Sequence, residues 1–170
     1  MEEKVLQLVT YALPTIITGV IAYYFFNQHT KNEEGRRRYL LQKEAQKDAL
    51  PLRLQAYERM TLFLERINPA KLLIRVAPDS TDKDNYEATL ISHIENEFDH
   101  NLTQQIYMTD DCWTIIKAAK NATIQLIRKA AMNSDSADKL RETILNELLE
   151  KEPPSNAALG FVKKEITELW

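Results

Sequence analysis

The first uncharged stretch of the chain runs from Val5 to Phe26, VLQLVTYALPTIITGVIAYYFF. At about 1.5 Å per residue a helix of that length reaches roughly 33 Å, against a hydrocarbon core of about 30 Å. The pattern therefore predicts an N-terminal transmembrane helix over residues 1–27, with Tyr23, Tyr24, Phe25 and Phe26 at the membrane interface. A cleaved signal peptide is disfavoured, because the Met-Glu-Glu-Lys start is not basic and the apolar run is too long. Pro14 is expected to kink the span. Thr15 with Gly19, and Thr18 with Ala22, place small residues four apart, a spacing that lets two helices approach closely.

Beyond residue 27 the apolar positions recur every three or four residues, the period of an α-helix and not of a strand. Leu41, Ala45, Ala49, Leu52, Ala56, Met60, Phe63 and Ile67 form one stripe, which Pro51 interrupts and Asn68-Pro69 ends. Residues 28–50 predict a basic juxtamembrane stalk helix, and residues 51–170 a bundle. Within the bundle, Tyr86, Leu90, Ile94, Phe98, Leu102 and Ile106 form a second stripe. Trp113, Ile116, Ala119, Thr123, Ile124, Ile127 and Ala131 form a third, behind a Thr109-Asp110-Asp111 helix start. Leu140, Ile144, Leu148 and Leu149 form a fourth, stopped by Pro153-Pro154. Leu159, Val162, Ile166, Leu169 and Trp170 belong to a last helix that Pro154 opens. The fold class expected is all-α: a transmembrane helix, a long juxtamembrane helix and an antiparallel helical bundle.

Charge sharpens this picture. Residues 28–76 hold eleven Lys or Arg against six Asp or Glu, and residues 77–170 hold ten against seventeen. With basic residues such as Arg36, Arg37 and Arg38 following the span, the positive-inside rule puts the C-terminal domain in the cytoplasm and the N-terminus outside. The same residues suit anionic headgroups. An acidic distal part is the wrong layout for nucleic acid. Cys112 is the single cysteine, so neither an internal disulfide nor a thiolate zinc cluster is available.

Candidate chemistry is sparse. His93, Glu97 and His100 share one helix face at i, i+4 and i+7, as a helical metal site requires, although a solvated or interhelical hydrogen-bonded face uses the same spacing. Cys112 lies beside Asp110 and Asp111, and neighbouring acids oppose thiolate formation. No cofactor motif or glycine-rich phosphate loop is present.

Two blocks, LPLRLQAYERMTLFLERINP at residues 50–69 and EFDHNLTQQIYMTDDCW at residues 97–113, resemble an uncharacterised family of short, membrane-anchored helical proteins from Bacteroidota. The resemblance implies an inner-membrane protein with a cytoplasmic helical domain, and it implies no activity. The function expected is a membrane-tethered, non-enzymatic interaction or scaffold module, an accessory subunit of an inner-membrane complex. Its partners would be the lipid bilayer and other membrane proteins. The alternatives are a metal-binding enzyme or sensor using the His93, Glu97 and His100 face, and a self-assembling membrane oligomer.

Overall fold

The computed structural model describes the backbone of residues 2–169 and the side chains of residues 3, 4 and 10–169. The described residues are helical throughout, without strands: α1 (Glu2–Arg66), α2 (Pro69–Arg75), α3 (Lys83–His100), a 3-10 helix (Leu102–Tyr107), α4 (Asp110–Met132), α5 (Ala137–Glu150) and α6 (Pro154–Thr167). The chain divides into two compact units, Met1–Ala49 and Leu50–Trp170.

In the first unit the expected membrane anchor is corrected. Among the described residues no helix is long and apolar enough to cross a membrane. Of the expected span, the side chains of residues 5–9 lie outside the described ones. The remainder, residues 10–26, is seventeen residues, about 26 Å of helix against a core of roughly 30 Å. Thr10, Pro14, Thr15, Thr18 and Gly19 further dilute its apolar character. The single-pass topology, the inner-membrane location and the interface role of Tyr23, Tyr24, Phe25, Phe26, Arg36, Arg37 and Arg38 therefore lose their basis.

The second unit is a helical bundle whose boundaries are set by side-chain caps, each accepting from an otherwise unpaired backbone N–H. Asn68 accepts from Ala70 (3.1 Å) and Pro69 occupies the first turn of α2, a short helix that the apolar pattern did not predict. Asp82 accepts from Asp84 at the start of α3 (3.0 Å), Thr109 from Cys112 at the start of α4 (3.2 Å), and Ser136 from Lys139 at the start of α5 (3.3 Å). α6 opens on Pro154, as expected. Among α2 to α6, the most extensive packing is of α4 on α6, followed by α3 on α4.

The core follows the later stripes more closely than the first, in which Leu41, Ala45, Ala49 and Leu52 are exposed. Ala56, Tyr57, Met60, Phe63 and Leu64 of α1 and Ile67 just beyond it are buried, as are all seven stripe residues of α4. The stripe of α3, however, ends at Phe98. Asn101 adopts φ −109° and ψ 4°, and its side-chain amide donates to the Glu97 carbonyl (2.8 Å), taking that acceptor from the helical ladder. The chain tightens into the 3-10 helix, and Leu102 and Ile106 are exposed. Leu149, near the end of α5, is also exposed.

The centre of the core is aromatic. Phe98 stacks on Trp113 with ring centroids 5.2 Å apart and meets Phe63 at 5.6 Å. Lys120 lies over the Phe98 ring at 4.7 Å while its ammonium pairs with Glu95 at 2.5 Å. One side chain thus joins α1, α3 and α4. Phe98→Ala removes all three ring contacts, and urea unfolding should register a loss of about 3–5 kcal/mol. A loss below about 1 kcal/mol would show that the aromatic centre is not what holds these helices together.

Candidate functional site

The most concentrated polar chemistry in the bundle converges on Glu165 of α6, which is only 8% exposed. Its Oε1 accepts from the Tyr57 hydroxyl of α1 (2.5 Å) and from the Thr109 backbone N–H at the cap of α4 (3.2 Å). The Cys112 thiol, a weaker donor, also faces the carboxylate, and Oε2 is buried with no N–H or O–H donor. Arg53 completes the edge, donating through Nε to the Tyr107 carbonyl (3.1 Å) and through Nη2 to the Tyr57 hydroxyl (3.5 Å).

The electrostatics of the cluster are internally consistent. Burial works against a charge on Glu165, but hydrogen bonds from Tyr57, Cys112 and Thr109 outweigh it and hold the carboxyl below its ordinary value. Tyr57 is pushed up to about 12, first by burial and then by donating to Glu165, with Arg53 offsetting part of the shift. Cys112 is likewise pushed up to about 12 by burial and then by Glu165. The outcome is one carboxylate held ionised by donors that keep their protons. A fully buried thiol with that pKa is a poor nucleophile at neutral pH.

Beside the cluster lies a surface pocket of about 180 Å³, lined by Thr109, Asp111, Phe161, Lys164, Glu165 and Glu168. It is smaller than the roughly 300–1,000 Å³ of ordinary ligand pockets. The arrangement is that of a structural tie: an anion fastens α6 to α1 and to the positive end of α4.

The sequence-derived candidates lie elsewhere. His93 and His100 are exposed on α3, with His100 Nδ1 2.5 Å from the Asn96 carbonyl, and Glu97 between them pairs with Arg66 of α1 at 3.3 Å. Among the described residues no group of three His, Cys, Asp or Glu side chains is placed to hold a metal ion. Glu97 thus belongs to an interhelical ion pair. On α1, Thr15, Thr18, Gly19 and Ala22 are exposed, and the hydroxyls of Thr15 and Thr18 donate to the Tyr11 (3.3 Å) and Pro14 (2.8 Å) carbonyls of their own helix. A Cβ added at Gly19 would meet nothing within 4 Å. Tyr23, Tyr24, Phe25 and Phe26 are all at least 70% exposed, and Arg36, Arg37 and Arg38 are exposed further along the same helix.

Residues 3–169 match a family of unknown function, DUF7935. The chain belongs to that family. No curated protein and no solved structure matches it. Membership bears out an uncharacterised family and nothing finer, neither a membrane anchor nor a source, and it brings no activity or site residues with it.

The tie at Glu165 makes a defined prediction. Its folded-state pKa lies below the ordinary 4.5, so its contribution to stability is fully present above about pH 4.5 and is lost as the pH falls through the folded value. Glu165→Gln should cost about 1–3 kcal/mol at neutral pH, and its urea-unfolding gap from the parent protein should narrow below pH 4.5. A gap that stays constant from pH 7 to about pH 3 would mean that ionisation of Glu165 contributes nothing to the fold.

Proposed function

We propose that the chain is a non-enzymatic interaction module, a scaffold or accessory subunit of a larger assembly, with the apolar stretch of α1 as its docking element. The observation carrying this reading is the exposure of ten large apolar side chains between Tyr11 and Phe26: Tyr11, Leu13, Ile16, Ile17, Val20, Ile21, Tyr23, Tyr24, Phe25 and Phe26 are 49–78% exposed. They occupy successive positions around the helix, and a helix that is apolar all round is normally a buried one. Each such side chain contributes roughly 1.5–3 kcal/mol on full burial, so covering even part of the stretch supplies substantial binding energy. The polar groups within it oppose burial little, because Thr15 and Thr18 satisfy their hydroxyls within the helix. Exposed apolar surface on this scale marks an interaction site.

The bundle supports a non-catalytic role. Its buried polar cluster ties helices together, and its one thiol is enclosed and protonated at neutral pH. The bacterial origin in Bacteroidota implied by the sequence resemblance is part of the same proposal.

A photo-crosslinking residue at Val20 or Ile21 in the full chain tests this, with the same residue at exposed Glu58 as control. The expected outcome is one or a few discrete protein adducts in cells from the α1 positions and none of these from position 58. The reading fails if the α1 positions give no protein adduct, or the same pattern as the control.

A further inference from the structure

Away from the apolar stretch, two helical faces of opposite charge share one spacing. On α5, Leu140 and Ile144 face the core, and Asp138, Glu142, Leu145 and Leu149 are exposed in a row at steps of four, three and four. On α1, Arg36, Leu40, Lys43 and Lys47 are exposed in a row at the same steps. Side chains so spaced stand on one face of a helix. The α5 row is acidic at its N-terminal end and apolar at its C-terminal end, where Leu145 is 41% and Leu149 86% exposed. The α1 row begins with Arg36 and ends with two lysines, with Leu40, 51% exposed, between them.

We infer that the α1 row of one copy of this chain docks antiparallel on the α5 row of a second copy. In that direction Lys47 meets Asp138, Lys43 meets Glu142, Leu40 meets Leu145, and the aliphatic stem of Arg36 covers Leu149 with its guanidinium near Glu150. The parallel direction is far poorer. It sets Leu40 against Glu142 and the two lysines against Leu145 and Leu149, leaving Arg36 with Asp138 as the sole ion pair. Charge complementarity thus selects both the partner face and its direction. The existing pairs on these faces, Arg36 with Glu33 (3.6 Å) and Lys139 with Glu142 (3.0 Å), are exposed i, i+3 contacts. Pairs of that kind contribute little and exchange readily. The contact joins unlike faces, so it closes into a ring where the geometry allows and otherwise propagates. It does not use residues 11–26, and it stands or falls separately from the partner surface proposed above.

Sedimentation of the purified full chain over a range of concentrations tests the inference. Self-association is expected at low salt and should weaken at least tenfold as the Debye length shrinks from about 14 Å to about 4 Å. K43E/K47E and D138K/E142K should each weaken association by about tenfold or more while leaving the helical circular dichroism unchanged. Mixing the two variants should restore it, because the reversed charges then face each other. Should either reversal unfold the protein, K43A/K47A and D138A/E142A take their place, each expected to weaken association in the same sense. Monomers at every concentration, association indifferent to salt and to both changes, or reversed-charge variants that remain folded yet fail to associate when mixed would overturn the inference.

Discussion

The carboxylate of Glu165 is the point on which the closure of the bundle depends. It sits near the end of the last helix, and its Oε1 holds a hydroxyl 108 residues earlier in the chain and a backbone N–H 56 residues earlier. A buried ion without partners would cost several kcal/mol, so the position is tolerable only when α1, α4 and α6 are assembled around it. The ion thereby rewards one arrangement of three helices and penalises others. Apolar packing holds α6 on α4, and the carboxylate helps specify how α6 sits on that surface. Oε2 shows that the fit is not saturated: enclosed, with no N–H or O–H donor, it leaves part of the cost of burial unrecovered.

The same chain leaves the apolar side chains from Tyr11 to Phe26 uncovered. A bundle that closes its own core so fully, with Tyr57, Met60, Phe63 and Leu64 at 0% exposure, shows that this sequence can bury large residues where its pattern directs them. The exposed stretch lacks the polar face that made burial one-sided in α4. Its apolar positions point in every direction, so no single neighbouring helix could cover them.

Legibility from sequence tracked how local the determining interaction was. The α4 stripe from Trp113 to Ala131 was readable because a long amphipathic helix declares its buried face through period alone. The caps at Thr109 and Pro154 were readable because each acts on the turn that follows it. The end of α3 was not. Leu102 and Ile106 keep the four-residue step, and the side-chain bond from Asn101 that ends the helix competes locally without changing the period. The seven residues of α2 are too few to display a helical repeat. Glu165 carries no local signal of its role, since Tyr57 and Thr109 are remote in sequence and only folding brings them together. The membrane reading rested on the uncharged run from residue 5 to residue 26, and the described part of that run is shorter and more polar than a span requires.

The separation of charge along the chain persists as exposed charge on the folded molecule. Basic residues are concentrated before residue 77 and acidic ones after it. Within the bundle, ion pairs cross between helices, Arg66 with Glu97 between α1 and α3 and Lys120 with Glu95 between α4 and α3. The bases of residues 36–47 stand in the first compact unit, and the acids of α5 stand in the second. Their spacing is matched at four positions, and in the antiparallel direction opposite charges face each other at two of them. Burial cannot explain that match, because every one of these side chains is exposed. A match of register and sign across exposed faces is what a recognition surface requires, and helix solubility alone requires neither.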